Sequence, residues 1–179
     1  MNSYLKYFSF ILLIIGTFHS CDEVEELATF DITQDFNTTI NVNLPEDSQG
    51  QPQSWSQSSS IDIASNEVVQ ENLDRIEDVT VNSLSFQISN FSGPADATVT
   101  DATLSFDNTV INLDPILLEE ADANNTVFVV GDATTYDAIA QYLEDNQVIS
   151  PVINATVSST PVVFDVIINL DVTFTAEGL

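Results

Sequence analysis

The stretch Pro161–Thr175, PVVFDVIINLDVTFT, decides the fold. Its even positions are Val162, Phe164, Val166, Ile168, Leu170, Val172 and Phe174, all apolar. Asp165, Asn169, Asp171 and Thr173 stand between them, and only Val163 and Ile167 break the alternation. A period of two belongs to a β-strand, whose successive side chains point to opposite faces. The even face needs a core and the odd face mostly meets water. From Val162 to Phe174 about 13 residues span roughly 43 Å at about 3.3 Å per residue, about twice a usual strand. Such a strand bends or runs past one partner, and the rest of the chain has to cover its even face.

The same texture recurs upstream. Phe30, Ile32, Phe36, Ile40, Val42 and Leu44 fall on even positions, which predicts one long strand, or two broken near Gln34 and Asp35, ended by Pro45. Glu46 to Ser60, rich in Ser, Gln and Pro, reads as a loop containing Trp55. Ile61 and Ile63 predict a short strand. Ser65 or Asn66 is a candidate cap for a helix with Val69, Leu73 and Ile76 on one face. Val79 and Val81 open a strand that Leu84, Phe86 and Ile88 continue in the opposite phase, so a bulge is expected near Asn82 and Ser83. Gly93-Pro94 turns the chain, and Val99 to Phe106 is a further strand with a change of phase.

Ile111 and Leu113 make a short strand, Ile116 to Ala121 a helical or irregular turn, and Val127 to Val130 a buried strand. Thr134 reads as the cap of a helix with Tyr136, Ile139, Ala140 and Leu143 in one stripe, ending near Asn146. Pro151 argues that the strand through Ile153, Ala155 and Val157 is an edge or is bent. The expectation is a mainly β protein, a two-sheet antiparallel β-sandwich with about seven to nine strands and two short helices.

The first residues read as an address. Lys6 is the only charge before Asp22, Phe8 to Ile15 is apolar, and Gly16 to Ser20 lead to Cys21, the only cysteine. A positive start, a short apolar core and a small residue before the junction form a secretory signal. The apolar run is too short for a membrane span. Ser20-Cys21, preceded by Phe18 and His19, resembles the relaxed lipobox of Bacteroidetes cell-envelope lipoproteins. That resemblance implies cleavage before Cys21, acylation of its thiol and new amino group, and anchoring in the outer membrane by fatty acyl chains. Asp22-Glu23-Val24-Glu25-Glu26 is then an acidic tether, and it resembles the surface-export signal of some of those lipoproteins. Aspartate directly after the cysteine marks inner-membrane retention in enteric bacteria; the outer membrane is the preferred reading. The organisation expected is a signal over 1–20, a tether over 21–27 and one β-sandwich domain over 28–179.

Without residues 1–20 the chain keeps all 28 acidic residues against Arg75 alone, a formal charge of −27. Nucleic-acid binding requires Lys and Arg to displace counterions, and this composition excludes it. Adsorption to anionic lipid is excluded on the same ground, so membrane contact falls to the acyl chains. His19 leaves with the signal, no lysine remains, and Cys21 is acylated. Ser–His–Asp and Cys–His catalysis and thiolate or imidazole zinc sites therefore lack their reagents. Carboxylates are the only acid–base groups left, and no pair of them stands out as a glycosidase would require.

The function expected is non-catalytic: a binding or structural module at the outer membrane, with an envelope protein as partner. The alternative is a glycan-binding surface lipoprotein in which Trp55 stacks on a sugar ring. Calcium would assist such a protein if held by Glu119, Glu120, Asp122 and Asn124, the densest local run of oxygen ligands. Arg75 is expected to pair with Glu71 one helical turn back.

Overall fold

The computed structural model describes residues 28–47 and 51–178. The expected signal, Cys21 and the tether lie outside the described residues. In chain order the elements are β1 (Thr29–Leu44), β2 (Gln53–Ser58), β3 (Ile61–Asp62), α1 (Glu67–Asn72), β4 (Ile76–Ser92), β5 (Thr98–Phe106), β6 (Thr109–Leu113), β7 (Ile116–Leu117), α2 (Leu118–Ala123), β8 (Val127–Val129), α3 (Ala133–Asp145), β9 (Val148–Ile149), β10 (Pro151–Val157) and β11 (Val162–Glu177). Single 3-10 turns flank α1. The protein is mainly β.

The deciding stretch forms β11, at the heart of one sheet in the order β1-β11-β4-β8. It pairs antiparallel with β1 along its whole length, from Thr29 opposite Glu177 to Leu44 opposite Val162. On its other side it pairs with β4. Long strands on both sides satisfy its backbone, which is why sixteen residues stay extended. Every even side chain from Val162 to Ala176 is buried. The second sheet runs β2-β10-β5-β6, with β7 also on β5, and β3 pairs with β9 apart from both. The two large sheets face each other over one cluster of buried side chains reaching from Ile32 to Phe174. Trp55 of one sheet meets Phe164 of the other edge-on, with ring centroids 6.0 Å apart.

The phase changes appear as irregular pairing. Ser83 faces Asp171 and Val81 faces Val172, so Asn82 is the extra residue where a bulge was expected. In β5 the ladder to β10 shifts opposite Ala155, where Asp101 takes φ +49°.

Several expectations are corrected. The count is eleven strands and three α-helices among the described residues, because one strand lies in the supposed loop, the turn read over 116–121 is β7 followed by α2, and β9 is separate from β10. β1 is unbroken at Gln34. Part of the supposed loop 46–60 is β2, whose Trp55 points inward. Ile76 opens β4 rather than closing a helix. Asp132, not Thr134, caps α3 by accepting the Thr135 N–H at 2.9 Å. Pro151 starts a strand that lies between β2 and β5, where its missing N–H is tolerated because it is the first residue. Arg75 donates to the Asn72 side chain and the Glu177 carbonyl, and lies 5.6 Å over the Phe30 ring; Glu71 is not its partner.

Candidate functional site

The two large sheets leave a gap where β8 ends one and β6 and β7 end the other. Between these borders lies a groove of about 510 Å³. Phe86 and Phe128 stack in its wall at 4.9 Å, joined by Ile111, Leu113, Ile116 and Val130. Asp114 is the charged group in its lining. The opening follows from chain path. β6 and β7 pair with opposite halves of β5, and Asp114-Pro115 between them interrupts that edge. Across the gap, β8 covers only Ser85 to Gln87 of β4, while α2 and α3 pack against β4 on either side.

β8 is held at both ends. Before it, Asn125 adopts φ +50°, and the Thr126 N–H donates to Ala121 O at 2.9 Å, which stops α2. After it, Gly131 takes φ +89°; a side chain there would meet the Tyr136 ring at 2.9 Å. The Tyr136 hydroxyl donates to Val130 O at 3.1 Å, and Asp132 starts α3 at once. The bonds from Thr135 hold the Asp132 carboxyl below its usual range.

The Val130 N–H donates to Leu84 O at 3.0 Å, so Leu84 and Val130 form a hydrogen-bonded pair. In an antiparallel ladder such pairs alternate. Phe128 therefore bonds with Phe86, and Val127 and Val129 turn their N–H and C=O groups away from the sheet. Their side chains are 57% and 69% exposed. The expected strand at Val127–Val130 is present as Val127–Val129, but it is not a buried one: Phe128 and the following Val130 pack against the core, while Val127 and Val129 are exposed. The signal in the sequence was the pair of turn residues, Asn125 and Gly131, which leaves room for little more than a stub.

The residues singled out from sequence lie elsewhere. Trp55 is 9% exposed, packed on Phe164, with an indole N–H that makes no hydrogen bond. Its ring face is not available to a sugar. Glu119, Glu120 and Asp122 lie on α2, and Asn124 caps it. Asp122 turns to accept the Phe91 N–H at 3.2 Å, and the Asn124 N–H donates to Glu120 O at 3.1 Å. Among the described residues, no group of three or more Asp, Glu, His or Cys side chains is gathered as a metal would need.

The outer face of the β1-β11-β4 sheet is an amide and hydroxyl lattice. Asn41 and Asn90 donate to the two oxygens of Asp165 at 2.6 and 2.7 Å, which hold that carboxyl below its usual range. Asn82 donates to Asp171 and Thr173, and Thr175 donates to Asp31. At the end of this sheet Glu77 is pushed up, first by a hydrogen bond with Glu177, then by desolvation and by the charge of Glu177.

Fold and site together define an acidic β-sandwich with an apolar groove beside β8, bordered by Asp114. No family model and no curated protein sequence matches the chain. Among solved structures, one titled Desmodium yellow mottle tymovirus aligns over 85% of this chain and 84% of its own, at 12% identity and a TM-score of 0.40. A likeness of that degree carries no argument about function. No helix among the described residues is long and apolar enough to cross a membrane.

Proposed function

We propose that the protein is a non-catalytic binding module of the bacterial envelope, anchored to the outer membrane through acylated Cys21. The observation that carries the binding reading is the β8 edge, where outward backbone groups and exposed valines stand beside an apolar groove. Exposed strand edges are normally guarded by charge, proline or cover. β1 carries Asp31 and Asp35, whereas β8 carries no charge. The anchor is supported by residues 1–21, and the absence of ordinary catalytic reagents downstream favours binding over chemistry.

The test joins the two halves. Mass spectrometry of the chain exported by a Gram-negative host is expected to find Cys21 at the N-terminus with fatty acyl groups, and Cys21→Ala to release the protein from membranes. A photo-cross-linker at position 127 is expected to trap an envelope partner, while one at position 43, on the polar face, traps none. Retention of Met1 without acylation would remove the anchor. Equal trapping at both positions would remove the site.

A further inference from the structure

We infer that the β8 edge is a strand-addition site whose occupant is an extended, apolar segment of another protein flanked by Lys or Arg. This deepens the binding reading above and rests on it. The outward N–H and C=O groups of Val127 and Val129 offer the hydrogen-bond pattern that only an extended backbone can complete. A strand laid beside β8 would continue the sheet and send alternate side chains into the groove against Phe128 and Ile116. The edge is pre-organised by Gly131 and the Tyr136 bond to Val130, so little order would be lost on binding.

Charge selects the occupant. Asp114 lines the groove, and Glu120 lines the cleft that adjoins it past Ile116 and Phe128. Arg75, the only cation among the described residues, lies at the far end against Phe30 and Glu177. A second copy of this chain would bring another formal −27 and no basic residue to the edge, which disfavours self-pairing. A basic, valine-rich or isoleucine-rich strand meets both the apolar groove and the acidic border.

The experiment uses the acylated full-length mature protein in detergent micelles. The probe is a synthetic peptide of about seven residues alternating valine and threonine between terminal lysines. Two controls carry a central proline or glutamates in place of the lysines. The expected result is peptide binding by fluorescence anisotropy with slowed amide exchange across 125–131, and loss of both with either control. Val129→Pro removes one outward N–H but leaves the Phe128 and Val130 bonds to β4. Val129→Lys places a repelling charge on the edge. Each is expected to weaken binding by about tenfold or more. Should Val129→Pro unfold, Val129→Lys decides, because that side chain is exposed. The inference is overturned if the proline control binds equally, if protection appears elsewhere, if Val129→Lys binds as the parent does, or if ultracentrifugation shows self-pairing through β8. Loss of acylation leaves this binding intact and loss of binding leaves acylation intact, so the two failures separate.

Discussion

Trp55 is a large aromatic whose ring is used and whose N–H is not. It fills the space between the sheets against Phe164, but the buried N–H has no acceptor. Trp55→Ala is expected to cost about 3–5 kcal/mol in urea unfolding, through lost burial and the cavity left behind. Trp55→Phe keeps an edge contact and deletes the unpaired donor, so it should cost much less. A surface role for Trp55 would instead predict little loss from Trp55→Ala. Asp165 is the opposite case, a carboxylate served by two amides. Its folded pKa is lowered, so the stability it contributes is present above its unfolded value and is lost as pH falls through the folded one. Asp165→Asn should therefore flatten the acid limb of the stability–pH curve. Glu77 runs the other way. Its folded pKa is raised beside Glu177, so its favourable contribution is present below its unfolded value and lost as pH rises through the folded one. Glu77→Gln should relieve that loss, seen as a higher melting temperature at neutral pH but not in acid.

At the scale of elements, β11 has both neighbours paired and its even face sealed, whereas β8 has one partner and one inward residue. Leu170 is fully buried between Phe36 on β1 and Leu84 on β4, its register neighbours. Leu170→Ala should cost about 2–5 kcal/mol, among the larger truncation penalties in the chain. Phe128→Ala removes a ring stacked on Phe86 at the rim of a groove that water already reaches, and should cost less. Comparing the two denaturation midpoints checks the ranking. The contrast also explains what could be read in advance. β11, β1 and the Asn82 bulge announced themselves because long alternation records which face is dry. β8 did not, since three apolar residues look alike in a core strand and at an edge. Trp55 misled because β2 is written in Ser and Gln, the vocabulary of loops, and its inward placement is set by β10 beside it. The groove depends on where β6 and β7 part around Asp114-Pro115, a matter of pairing that no local pattern records.

At the scale of the whole molecule, the protein's own charge opposes the core. In residues 21–179, 28 acidic side chains stand against one arginine, a formal −27, so carboxylates meet mostly one another. Asp35 and Asp171 stand opposite each other across β1 and β11, and Asp31 and Asp78 flank Thr175 on neighbouring strands. Like charges directly opposite destabilise a sheet. Asn and Thr answer part of this by donating to the carboxylates, as around Asp165, but they do not cancel the field. The unfolded chain spreads the same charge over a larger volume, so repulsion weighs on the folded state more. Sodium chloride shortens the screening length from about 10 Å at 0.1 M to about 3 Å at 1 M. The melting temperature should therefore climb steeply up to a few tenths molar salt and flatten above it. Potassium chloride should follow the same curve, because screening depends on ionic strength and not on the ion's identity. Glu77→Gln should flatten the rise by removing one member of a close pair. A melting temperature indifferent to salt would mean that repulsion among the carboxylates does not limit the stability of the folded state, although the net charge that opposes pairing of two copies would remain.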